Sequence, residues 1–247
     1  LDGRAFYAAK TADDGNRRCL FGWNPTKEED LFGFWPKRQP GQDYRTWDWG
    51  GNMVIHQLTQ QPDGDLGLCL PDGAESFFPV LSNRRMEPVT PGWRERDGQL
   101  VAAQEESCQT ALCGPMPETG RFSVEMEAGE AVCAGVALHL ERDLSRGYFL
   151  YVEPQRRRLV FRSWLRQSEE GGKAFPYDVE LETALRIPED GVYRMEIVTE
   201  KSAGTVWVNE EAALSFRMYD CREGEFGLFS FGKAKFSNLK AMAMAEK

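Results

Sequence analysis

Glycine and proline punctuate this chain so densely, 24 Gly and 13 Pro in 247 residues, that they cut it into short apolar segments, and helical periodicity is hard to find. Between the turns the side chains alternate. Arg121 to Glu127 places Phe122, Val124 and Met126 on one face, the pattern of a half-buried strand. Gly147 to Val152 and Arg158 to Trp164 flank the basic turn Glu153 to Arg157, and Tyr193, Met195 and Ile197 alternate with polar neighbours. Val206 to Val208, Leu214 to Met218, Phe226 to Phe231 and Phe236 to Met242 complete a series of short strands joined by tight turns. Many short antiparallel strands predict an all-β protein with a β-sandwich of jelly-roll or lectin-like type from about residue 105 to 247. Upstream, Phe6 to Ala9 and Cys19 to Trp23 flank Asp13-Asp14-Gly15-Asn16 as one hairpin; Asn52 to Leu58 and Leu66 to Leu70 flank Pro62-Asp63-Gly64 as another. Residues 73–104, with Pro79, Pro88 and Pro91 among charged side chains, read as a linker between a first unit, 1–72, and the sandwich.

Composition narrows the function classes. The balance of 30 Lys and Arg against 39 Asp and Glu, −9, argues against nucleic-acid or anionic-membrane partners, which require clustered cations. The longest apolar stretch, Ala131 to Leu140, is too short to span a bilayer. The opening residues lack the basic and apolar regions of a signal peptide. The one near-sequon, Asn24-Pro25-Thr26, carries the forbidden proline. Six scattered cysteines without a Cys-x-x-Cys pair read as free thiols, and together these features lead to the expectation of a soluble cytoplasmic protein without a metal or other cofactor.

A nucleophile elbow and a phosphate-binding glycine loop before a helix are both missing. The two histidines read as structural: His139 sits in an apolar run, and His56 shares a strand face with Val54 and Leu58. With 39 acids, no one carboxylate pair selects itself for glycosidic chemistry. Aromatic rings concentrate in the first fifth of the chain: Phe6, Tyr7, Trp23, Trp35, Tyr44, Trp47 and Trp49. Rings beside Asp, Asn and Arg hold sugars by stacking while polar groups bind the hydroxyls; a core between two domains would use the same rings.

The stretch Asp2-Gly3-Arg4-Ala5-Phe6-Tyr7-Ala8-Ala9-Lys10-Thr11, followed by Asn16 to Trp23, resembles the "D-x-G-x-FYA-x-x-T … R-R-I-x-x-G-W" segment of glycoside hydrolase family 32, the invertases and fructanases. Trp49 to Leu58 with Pro62 to Leu66 resembles the next family segment, and Gly191 to Ile197, Val206 to Asn209 and Leu214 to Tyr219 are similar to its sandwich. The resemblance implies the end of a five-bladed β-propeller followed by a C-terminal sandwich. It also implies a retaining hydrolase of fructosides such as sucrose, its phosphate or a fructan, with the rest of the propeller as partner. Asp2, Phe6, Tyr7, Trp23, Trp47 and Trp49 would then stand near the substrate. The family's Asn-Asp-Pro, Arg-Asp-Pro and Glu-Cys blocks do not occur here: Arg142-Asp143 precedes Leu144, and Asp220-Cys221 carries the wrong acid. The implied catalytic carboxylates are therefore not in this chain, and no catalytic residue is assigned. Two other readings stand beside this one: a non-catalytic carbohydrate-binding sandwich, and a purely structural sandwich that stabilises an enzyme or mediates its dimerisation.

Overall fold

A computed structural model describes residues 1–26, 50–81, 86–165 and 180–244. The chain is all-β, a small antiparallel sheet followed by a β-sandwich. The small sheet is a four-stranded meander of β1 (Tyr7–Asp13), β2 (Arg18–Pro25), β3 (Gly51–Gln60) and β4 (Leu66–Cys69), paired in chain order. Its turns carry the expected chemistry: Asp13 and Asp14 accept backbone N–H groups at Gly15, Asn16 and Arg17, and Gly64 takes the left-handed conformation that the Pro-Asp-Gly turn demands.

A 3₁₀ turn at Ala74–Phe77 leads to β5 (Val80–Leu81), β6 (Glu87–Pro88), β7 (Trp93–Arg96) and β8 (Gln99–Ala102). The expected linker at 73–104 is thus corrected. β5, β7 and β8 extend one sandwich sheet and β6 borders the other, so the sandwich begins at Val80. Pro88 disguised this, because proline is tolerated in an outermost strand, and strands of two to four residues carry no readable period.

The remaining strands are β9 (Cys108–Pro115), β10 (Thr119–Glu127), β11 (Ala131–Leu140), β12 (Arg146–Glu153), β13 (Arg158–Leu165), β14 (Glu180–Ala184), β15 (Val192–Glu200), β16 (Ala203–Val208), β17 (Ala212–Arg217), β18 (Glu225–Gly232) and β19 (Ala234–Ala243). Among the described residues one sheet runs β17-β16-β15-β10-β19-β8-β7, with β5 on the far end of β19; the other runs β14-β13-β12-β11-β18-β9-β6. Strands read as alternating do alternate: Phe122, Val124 and Met126 of β10 and Tyr193, Met195 and Ile197 of β15 all point into the core. Aromatic rings bridge the two sheets. Phe161 stacks on Phe216 at 4.3 Å and Phe122 on Phe226 at 4.3 Å, each pair joining one sheet to the other. Strand β11 is buried on both faces, with Leu138 in the central core and Ala137 and Leu140 in a second cluster outside it, so it reads as one apolar run.

His139 lies in a break of register between β11 and β18, in the left-handed region at φ 48°. The residue is 6% exposed, Nδ1 has no partner, and burial pushes the imidazole down to about 4 from 6.5. The folded state therefore holds the neutral ring, and protonation favours the unfolded chain. The contribution is complete above pH ~6.5, falls as pH drops toward ~4, and levels off below that, with an upper bound of about 3 kcal/mol. His139→Asn tolerates the same backbone. The stability advantage of wild type over this variant should shrink across that window in urea titrations; a difference independent of pH would sink the assignment.

Candidate functional site

The meander has two faces with different fates. On β2 and β3, Leu20 lies opposite His56 and Gly22 opposite Val54, and these residues turn toward the sandwich; Phe21 opposite Ile55 and Trp23 opposite Met53 turn away. Leu20, Leu58 and Leu68 pack against Trp207 and Ala213 on the outward faces of β16 and β17. Gly67 is required there, because a Cβ would run into the carbonyl of Glu210 in the turn between those strands.

At the centre of this seam is a buried polar chain. Trp207 Nε1–H donates to His56 Nδ1 at 2.9 Å, and His56 Nε2 is 2.9 Å from Asp2 Oδ2. An indole N–H can only donate, so Nδ1 must accept and Nε2 carries the proton that goes to the carboxylate. Asp2 also accepts from Ser215 Oγ at 2.6 Å, Ser215 N at 2.9 Å and Gly3 N at 2.5 Å. The side chains of His56 and Asp2 are 0% and 1% exposed. Around them, Asn24 Nδ2 donates to Phe216 O, Arg217 donates to the carbonyls of Asn24 and Pro25, and Ala213 N donates to Leu1 O. At the rim, Arg186 reaches Asp63 and Asp65 of the β3–β4 turn and Glu211.

Serine, histidine and aspartate meet here without forming a nucleophile. The Ser215 hydroxyl donates to the carboxylate instead of to the imidazole, His56 is held between Trp207 and Asp2, and every member is sealed from solvent. Among the described residues no group of three His, Cys, Asp or Glu converges to hold a metal ion. All six cysteines are free thiols, and burial pushes Cys69 and Cys133 up to about 11.

The residues expected near a sugar divide accordingly. Asp2 sits in the seam with all its acceptor positions used by the protein. Phe6 joins it, its ring over Gly22 and edge-on to His56 at 4.8 Å. Tyr7 and Trp23 meet on the opposite face, rings 5.5 Å apart, with Tyr7 49% exposed and Met53 beside them 69% exposed. Trp47 and Trp49 lie outside the described residues. Next along the same face a hollow of about 610 Å³ is bordered by Cys19, Phe21, Ile55 and Phe77, with Asp14 and Arg17 at its edge. Every residue of β1 is exposed. Trp207 and Ser215 were not foreseen. The available signal was alternation: with Val206, Val208, Leu214 and Phe216 facing the core, Trp207 and Ser215 must face outward, and an outward tryptophan in a strand needs a cover.

Neither a protein-family profile nor a curated protein sequence matches the chain. Solved structures match its fold. The fructosyltransferase of A. japonicus superposes with a TM-score of 0.63 at 13% identity over 99% of this chain and 45% of its own. The exo-inulinase of Aspergillus awamori gives 0.61 at 14% identity over 99% of this chain and 44% of its own. A carbohydrate-binding module, CBM66 from Bacillus subtilis, gives 0.55 at 14% identity over 67% of this chain and 100% of its own. The chain thus spans less than half the length of either enzyme.

Trp207→Phe leaves the buried His56 Nδ1 without a donor and should lower unfolding free energy by about 1–3 kcal/mol. Asp2→Asn turns an amide N–H toward the donors of His56 and Ser215 and should cost more. The double variant should lose less than the sum, since both act on one chain of bonds. Denaturant titrations that place all three within 0.5 kcal/mol of wild type would remove the seam as the tie between sheet and sandwich.

Proposed function

We propose that this chain is the C-terminal part of a glycoside hydrolase acting on terminal fructosides, namely sucrose, sucrose phosphate or a fructan, by a retaining two-carboxylate mechanism. In this reading the four-stranded meander is the last blade of a propeller. Both carboxylates come from the portion before it, standing about 5–5.5 Å apart on either side of the scissile bond, one as nucleophile and one as acid and then base. The observation that carries the reading is that single superpositions on two fructosyl-processing enzymes take in 99% of this chain, meander and sandwich together. The exposure of β1 along its whole length supports it, since an open strand with bare faces suits a sheet with further blades beside it.

The roles of the aromatic residues follow from their faces. Tyr7 and Trp23 form a stacking platform for a sugar ring on the outer face. Asp2 and Phe6 act one step back, locking β2 and β3 to the sandwich so that the platform holds its place.

A second reading, a non-catalytic carbohydrate-binding protein, is favoured by a different observation: a complete carbohydrate-binding module superposes within this chain. The full-length polypeptide containing this chain should release fructose from sucrose or a short fructan with the anomeric configuration retained. Tyr7→Ala should lower kcat/KM roughly tenfold, as expected for a lost stacking contact, while Tm stays unchanged. Sugar binding without release would favour the second reading, and neither binding nor release would overturn both.

A further inference from the structure

The two long edges of the sandwich are treated differently. At the β14/β17 edge the segment that leads into the meander lies between the sheets: a Cβ on Gly3 would meet Leu214 of β17 and the Glu182 carbonyl of β14, and Ala213 N and Thr183 Oγ1 both donate to Leu1 O. At the β6/β7 edge, among the described residues, the gap stays open as a cleft of about 680 Å³, within the range of ~300–1,000 Å³ typical of small-molecule sites. Its floor is core: Leu100 and Phe236 from one sheet and Leu228 from the other.

Three features set this cleft apart from a packing defect. First, Trp93 forms a wall, its ring 5.8 Å from Phe236, and its indole Nε1–H is buried with no hydrogen-bond partner. Such a donor is costly to leave unmet, so it marks a place where an acceptor belongs. Second, the polar side chains at the mouth, Glu95, Gln99, Ser237 and Asn238, form no hydrogen bond or ion pair among the described residues. Glu95 shares the inward face of the hairpin with Trp93, because Trp93 pairs with the core residue Ala102 and Glu95 with Leu100. Third, β19 changes its outer partner at this place. Its outer edge pairs with β8 through Phe236 and with β5 from Met242, and among the described residues the five between have no ladder partner on that side. A bulge at the same place puts Asn238 in the left-handed region, φ 52°, and turns the strand at the mouth of the cleft.

We infer that this inter-sheet cleft is a saccharide-binding site, separate from the aromatic platform of the meander. A sugar ring supplies what the residues lack: a C–H face for the Trp93 ring, a hydroxyl oxygen to accept its N–H, and hydroxyl groups to donate to Glu95 and to exchange bonds with Gln99 and Asn238. The choice of a sugar over another hydroxylated ligand rests on the carbohydrate reading above; the open cleft and its unspent polar groups do not.

The 247-residue chain should be titrated with a fructo-oligosaccharide trisaccharide, and in parallel with maltotriose, by calorimetry and by following indole N–H resonances. The resonance missing from Trp93→Phe should be the one that moves in wild type. That variant keeps an aromatic ring against Phe236 and should bind roughly five- to tenfold more weakly. Glu95→Gln and Asn238→Gly alter only exposed groups, so they keep the test valid should Trp93→Phe fold poorly, and each should weaken binding severalfold with Tm unchanged. Preference between the two sugars identifies the ring the cleft accepts. Binding that none of the three variants alters would overturn the cleft while leaving a carbohydrate-binding role elsewhere on the chain. Failure of wild type to bind either sugar would also overturn it, and fructose release by the full-length polypeptide would then still stand for the hydrolase.

Discussion

The carboxylate of Asp2 accepts four hydrogen bonds at the place where a sheet would otherwise end in bare backbone. Strand β17 is the outermost strand of its sheet, and its outward N–H and C=O groups need partners once covered by protein. Asp2 takes the N–H of Ser215, Leu1 that of Ala213, and Asn24 meets the carbonyl of Phe216. A carboxylate taken out of water costs several kcal/mol unless fully hydrogen-bonded, and here each oxygen has two donors. The arrangement is strongly conditional: every partner is needed because the others are there.

From that condition follows the division of labour in the meander. Its inner face is spent on Leu20, His56, Leu58 and Leu68 against the sandwich, which fixes where β2 and β3 point. The outer face, with Tyr7, Trp23 and Met53, is then presented from a rigid backing without itself being packed. Side chains held on strands braced from behind keep their geometry better than side chains on loops. The same holds at the other end of the sandwich, where the wall of the cleft, Trp93, rests on the core ring of Phe236.

Much of the fold was legible because most sandwich strands have one wet face and one dry one. β10 and β15 declare themselves by alternation, and the hairpin turns by Asp, Asn and Gly at set places. Where both faces are covered, as in β11, alternation vanishes and only an apolar run remains. Where a strand is two residues long and contains proline, as in β6, nothing distinguishes it from a linker. The aromatic concentration near the start admitted two readings, a sugar-holding surface or a core between domains, without dividing the rings between them; in the structure Phe6 lies in the seam and Tyr7 on the outer face, because neighbouring positions on a strand point to opposite faces. Asp2 could not be placed from sequence, because its main partner Ser215 is 213 residues away and only the closed fold brings them together.

The seam also contains two electrical environments. The ion pairs of Arg186 with Asp63 and Asp65 join side chains that are about half exposed, so dissolved salt screens them over a distance of ~8 Å at physiological ionic strength. The Asp2–His56–Trp207 chain is closed to solvent and is scarcely screened. Concentrated electrolyte therefore loosens the β3–β4 turn first and leaves the centre of the seam intact, so the sheet lifts from its sandwich from the rim inward.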